Sequence, residues 1–472
     1  MFALLLLAAA SPTPRPVFTR DIAPILYRHC ASCHHEGEVA PFPLISYDDV
    51  KKRARLIADV TRARLMPPWQ PVAGYNHFAG ERRLTALQIN TIQQWAAAGA
   101  FEGNPKYLPA APVFTSDWQL GKPDLMVQLP EPMHIPADGP DIYECFVVPM
   151  NLPQNTYIRA VEFRPSNRRI VHHALLFTDA THIPRDPRYS CFGTIGLLPT
   201  LGIGGWSPGN EAIQMPEGAA PPLQAGSRLV AQVHYHPDGK PEQDQWTAGF
   251  YFTDKPPVRR VVDVGLASRS IDIAAGDPHY VVRAHFTIPI AIDAIGIIPH
   301  AHLICREMRG TAILPNGTRR TLLYIKDWNF NWQDQYRYAT PIRLPPDTRI
   351  EMEFVYDNSA ANPHNPNSPP KRVQWGPGVD DEMAGLHVQS IPVHMDELPE
   401  LGRALWGAVM RSAGGRFYTP PQYRTTGSQP TIARAAANPC GAARSTTRRS
   451  PAGISIKVPP IALVLASRRA HT

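Results

Sequence analysis

The chain has 472 residues, 43% hydrophobic and 18% charged, which excludes a disordered polyelectrolyte and, at this length, a single ordinary core. Its 52 prolines argue against long helical bundles and for turn-rich β structure. The net charge of +7 is local: eight of the 47 Lys and Arg, and none of the 40 Asp and Glu, fall in residues 421–472, leaving 39 bases against 40 acids. The body of the chain therefore carries no nucleic-acid footprint.

The opening MFALLLLAAASPTP has a short apolar run and an Ala-x-Ala pattern ending at Ala10, so residues 1–17 read as a secretory signal despite lacking a basic n-region. No later run reaches the roughly 18 apolar residues of a membrane span, so no transmembrane anchor is expected and the mature chain is expected outside the cytoplasm. Residues 18–105 are the most helical stretch. Within them LTALQINTIQQWAAAGA places Thr85 and Gln88 in capping-box spacing and ends at Gly99. A Pro-rich linker covers residues 106–115.

From 116 to 395 short β-branched runs alternate with Pro, Gly, Asn and Asp, as in YIRAVEFRP, RLVAQVHYHP and TRIEMEFVYDNS. This predicts a mainly β protein with two tandem antiparallel sandwiches, 116–255 and 256–395, dividing near Lys255–Pro257. A short helix is expected near 396–412, then a disordered basic tail to 472.

The segment RHCASCHHEG brings Cys30, Cys33 and His34 together. Cys-x-x-Cys-His is the attachment signature of a c-type haem, with two thioether bonds and a histidine on iron. A zinc ribbon would need a second Cys pair, and a thioredoxin-like motif a βαβ context; the sequence supplies neither. Met66 in ARLMPPWQP is the candidate distal ligand, because a thioether there would raise the haem potential. The segment resembles the single-haem cytochrome c domains of bacterial exported oxidoreductases.

Histidines then recur in three clusters: His172 and His173 in RRIVHHALLF, His234 and His236 in LVAQVHYHPDG, and His300 and His302 in IGIIPHAHLICREMRG. His300 and His302, two apart on a strand, share a face and can chelate one ion. The adjacent His172 and His173 would point to opposite faces unless a bulge intervenes. Met383 lies downstream in DDEMAGLH. Imidazole with a thioether selects copper over zinc.

With these motifs in this order, residues 120–395 resemble the copper type II, ascorbate-dependent monooxygenases, the family of dopamine β-monooxygenase and peptidylglycine α-hydroxylating monooxygenase. The resemblance implies jelly-roll-like sandwiches, each holding one copper, on either side of a solvent-filled cleft. His172, His173 and His234 would form an electron-transfer copper site. His300, His302 and Met383 would form the oxygen-activating, catalytic one. It also implies a Cys145–Cys191 disulfide; Cys305 and Cys440 have no evident partner.

The family's two coppers supply the two electrons that reduce the second oxygen atom of O2 to water, refilled from ascorbate. Here the haem on the same chain is expected to relay electrons from an external donor, ascorbate or a redox protein. Ile298, Gly385 and His387 occupy the positions where the peptidylglycine enzymes grip a carboxylate, so a peptide C-terminus is disfavoured and a small organic substrate expected. The rival from another class is a non-catalytic haem and copper electron-transfer protein, for which an open Met-ligated copper has no use.

Overall fold

The computed structural model describes residues 15–412 apart from 39, 115–117, 182, 184–185, 192–200, 209–211, 377 and 379. The signal segment up to residue 14, the tail from residue 413 with Cys440, and His182 lie outside the described residues. The protein is mainly β, with several antiparallel sheets and a small helical region at the start.

The helical region comprises Ala23–His29, Tyr47–Lys51, Ala54–Arg62 and Ala86–Ala97, preceded by one π-helical turn at Phe18–Ile22. Its core gathers Phe18, Ile22, Leu26, Val50, Ile57, Ile92 and Trp95. The expected capping box forms: Thr85 Oγ1 accepts from the Gln88 backbone N–H at 3.1 Å, and Gln88 Oε1 accepts from the Thr85 N–H at 2.8 Å. Beyond its last turn Gly99 adopts φ +104°, which only glycine takes without strain.

The first β unit has a sheet in the order Arg188–Ser190, Ile142–Pro149, Arg228–Tyr235, Val171–Asp179, Leu201–Trp206. A second sheet runs Leu125–Gln128, Thr247–Thr253, Thr156–Arg164, Ile213–Gln214, with Pro222–Leu223 on Thr156–Arg164. Val148, Leu176 and Leu229 of one sheet meet Val161, Phe163 and Phe250 of the other in a single core. Cys145 and Cys191 form a disulfide with Cα atoms 5.7 Å apart.

The second β unit stacks Val262–Ala267, Gly385–Pro392, Ile292–His300, Tyr336–Leu344 on Tyr280–Thr287, Arg349–Tyr356, Cys305–Ile313, Arg319–Ile325. In Arg349–Tyr356 the alternation is read directly: Ile350, Met352, Phe354 and Tyr356 are buried and the residues between them are more exposed. The free cysteine Cys305 is buried in this core. The helix expected near 396–412 spans Leu398–Ser412, and Leu401 reaches the same core.

One segment of the helical region belongs to this second unit. Val72 donates to the Tyr324 carbonyl at 2.7 Å, Ala79 to Arg337 at 2.8 Å, and Ala339 back to His77 at 2.9 Å. Asn76 Nδ2 donates to the carbonyls of Thr321 and Leu322, both at 2.8 Å. Phe78 sits within the second core, stacked on Tyr338 with centroids 5.3 Å apart, and Trp69 packs edge-on to Tyr336. Burying such a ring contributes about 1.5–3 kcal/mol, so residues 69–82 form a strap on the second unit.

Candidate metal centres

His173 pairs opposite His234 across the Val171–Asp179 and Arg228–Tyr235 strands, but the next pair is Tyr235 with Val171. His172 is therefore the extra residue of a β-bulge, and the bulge turns two adjacent side chains toward one point. The ring centroids of His172, His173 and His234 lie 5.4, 4.7 and 5.0 Å apart pairwise. The three form a group able to hold a metal ion.

The nitrogen inventory says which atoms face that ion. His172 Nδ1 and His173 Nδ1 are 3.2 Å apart, close to the roughly 3.3 Å between two nitrogens bound tetrahedrally at about 2.0 Å from a metal. His234 Nε2 donates to Asp141 Oδ2 at 2.7 Å, while its Nδ1 is buried with no protein partner. A buried ring nitrogen without a partner is costly unless something fills the space it faces. Tyr143 stacks on the other face of His234 at 4.1 Å.

His236 is outside this group. Its Nδ1 meets the second oxygen of Asp141 at 2.7 Å, and its side chain is 47% exposed. Burial pushes the Asp141 carboxyl up, but its bonds to His234 and His236 outweigh that and hold it well below the usual carboxylate range. Burial also pushes the His172 imidazole down to about 4, and His173 lower than usual, so these rings stay neutral and available to a cation.

The second histidine pair presents the opposite nitrogen. His300 Nδ1 bonds Gln333 Oε1 at 2.6 Å, and His302 Nδ1 bonds the Asp381 carbonyl at 3.0 Å. Both partners are carbonyl oxygens, which only accept, so Nδ1 carries the proton and Nε2 is bare in each ring. The rings lie 5.3 Å apart at 84°. Phe330 stands edge-on to His302 at 5.9 Å, and the Trp328 indole donates to the His302 carbonyl at 3.1 Å. Burial lowers His300 to about 4.

Met383 joins this pair through the main chain. Glu382 Oε2 accepts from the N–H of His302 at 2.9 Å and of Met383 at 3.1 Å, while Oε1 accepts from Ile304 at 3.0 Å. The Met383 carbonyl is held by the Tyr356 hydroxyl at 2.7 Å, and Gly385 pairs opposite His300.

In the helical region Cys30 and Cys33 are free thiols. Burial pushes Cys30 up to about 12 and raises Cys33, so both are neutral. His34 Nδ1 bonds the Phe42 carbonyl at 3.0 Å, which leaves Nε2 as the nitrogen able to meet a metal. Trp69 carries a buried indole N–H without a protein partner. Met66 precedes the strap, its backbone N–H donating to the Val60 carbonyl of the helical region at 3.3 Å.

Sequence reasoning did not single out Asp141, Gln333 or the clasping role of Glu382. Only Glu382 left a signal, as the residue beside Met383 in the DDEMAG motif.

A comparison with protein-family models finds no match, and no curated protein matches either. Among solved structures the chain is similar to the infectious bursal disease virus VP2 subviral particle, at 10% identity over 61% of this chain and 76% of that one, TM-score 0.19. PNGF-II is matched at 9% identity over 59% of this chain and 65% of that one, TM-score 0.21. Superpositions this poor carry no argument about the overall fold or the activity.

Proposed function

We propose that this protein is an exported, haem- and copper-dependent monooxygenase that hydroxylates a C–H bond of a small organic substrate with O2. In this reading the β units are tandem jelly-roll-like sandwiches of the copper type II, ascorbate-dependent kind, and the helical region is a c-type cytochrome. The observation that carries it is the presence of two imidazole groups offering different nitrogens, one through Nδ1 and one through Nε2 beside Met383. His172, His173 and His234 would hold one copper, and His300, His302 and Met383 the other. Cys30 and Cys33 would carry the haem, with His34 and Met66 on its iron. A thioether among imidazoles suits copper better than zinc.

When bound, these groups supply the one-electron steps by which one atom of O2 enters the substrate and the other leaves as water. The protein's own residues prepare the ligands. Gln333 and Asp381 lock the tautomers of His300 and His302, Asp141 orients His234, and Glu382 fixes the main chains of His302 and Met383. Burial keeps the rings unprotonated. The Cys145–Cys191 disulfide supports an oxidising compartment. The partners in this reading are O2, the organic substrate and an external electron donor, ascorbate or a redox protein.

The test is metal and haem content of the purified protein, followed by oxygen uptake across a panel of small organic compounds. Two coppers, one covalent haem and incorporation of one atom from labelled O2 into a product are expected. Full cofactor content with no uptake on any compound would mean an electron-transfer protein instead.

A further inference from the structure

The loop between Trp328 and Gln335 touches both the His300/His302 site and the segment that follows Met66. On one side Gln333 Oε1 accepts from His300 Nδ1 at 2.6 Å, and Phe330 flanks His302.

On its other side the loop holds the helical region. Gln70 Oε1 accepts from the Asn329 N–H at 2.6 Å, and Gln70 Nε2 donates to the Trp332 carbonyl. Arg82 pairs with Asp334 at 2.6 Å, with both side chains largely buried, and lies over the Trp69 ring at 5.7 Å. Two residues beyond Arg82, Leu84 lies in the helical core against which Cys30 packs.

We propose that this loop is a fixed electron-entry junction: Arg82, Asp334 and Gln333 connect the haem-bearing region directly to the His300/His302 site, without passage through the three-histidine site. This rests on the haem and copper reading above. With haem held on Cys30 and Cys33 and copper on His300, His302 and Met383, one electron would pass from the reduced haem to the oxidised copper, and an external one-electron donor would re-reduce the haem. Glu38 also pairs with Arg168 of the first β unit. From Arg168, however, three residues of main chain separate the contact from His172, whereas Asp334 adjoins the residue bonded to the His300 ring. Asp334 and Gln333 are positioning residues here.

Two experiments decide it. With a protease site inserted in residues 106–114, the cleaved full chain should elute as one species, because the strap holds the halves together; separation of the fragments would overturn a fixed junction. For the route, haem is reduced anaerobically in copper-loaded protein, and loss of its ferrous band is followed beside the cupric resonance signal. In His172→Ala, which lacks the first copper, one electron should still leave the haem. Asp334→Asn should slow that transfer at least tenfold with haem potential and copper content unchanged, and Asp334→Glu should restore it. No haem oxidation in His172→Ala, or an unchanged rate in Asp334→Asn, overturns the route alone. Absence of covalent haem or of the second copper overturns the underlying reading and the route with it.

Discussion

Gln333 Oε1 lies 2.6 Å from His300 Nδ1, bridging 33 residues of sequence to set which nitrogen of a buried imidazole is bare. A side chain that fixes the tautomer of a ligand acts on affinity without touching the ion.

Gln333→Leu keeps the bulk but removes the acceptor. Copper affinity at the second site should fall about 10–100-fold, with the three-histidine site unchanged. Titration with a competing chelator, reading the two cupric signals separately, measures both. Equal losses at the two sites would mean the substitution acts on folding instead.

At the first site Asp141 plays the corresponding part for His234. Asp141→Asn should weaken that site by about 10–100-fold, while His173→Ala should abolish it. Each variant should leave the second copper in place, so metal analysis should fall toward half of the wild-type value.

Glu382 is fully buried and accepts three main-chain N–H groups, from His302, Ile304 and Met383. Glu382→Ala leaves those donors unpaired at about 1–3 kcal/mol each, so several kcal/mol of stability should be lost along with the second metal site. Glu382→Gln keeps one carbonyl acceptor and should lie between the two in a urea denaturation series.

The buried imidazoles give the metal-free protein a pH dependence. His172 and His300 have an ordinary value of 6.5 and stand near 4 in the fold because burial opposes their charging. Between those values the unfolded chain binds more protons than the native one, so stability falls as pH drops through this window and is unaffected above it. Each ring contributes at most about 1.4 kcal/mol per pH unit. Urea midpoints measured from neutral pH to about 4.5 should decline, and His172→Asn should show a shallower slope. Parallel slopes for the two proteins would contradict the assignment.

How much of this was legible beforehand depends on the range over which each feature acts. The Thr85–Gln88 capping box and the alternation of Ile350, Met352, Phe354 and Tyr356 are local, and both formed as read. The pair His172–His173 carried its own condition, a bulge, and the register supplies one opposite Tyr235. Asp141 and Gln333 had no such mark. Their partners are 93 and 33 residues away, and nothing in a carboxylate or an amide announces which imidazole it will meet. The docking of the strap had no mark either. Trp69 and Phe78 lie against the core of the second β unit, a placement that depends on strands that begin only at Val262.

From the amino-acid order alone came the β-rich body, the helical start, and the choice of histidines, cysteines and methionine as candidate ligands, because periodicity and ligand chemistry belong to each segment. Which ring nitrogens are bare, which histidines converge, and where the helical region docks were decided by the tertiary structure. Those depend on carbonyls, carboxylates and apolar faces brought from distant strands, and packing alone selects them.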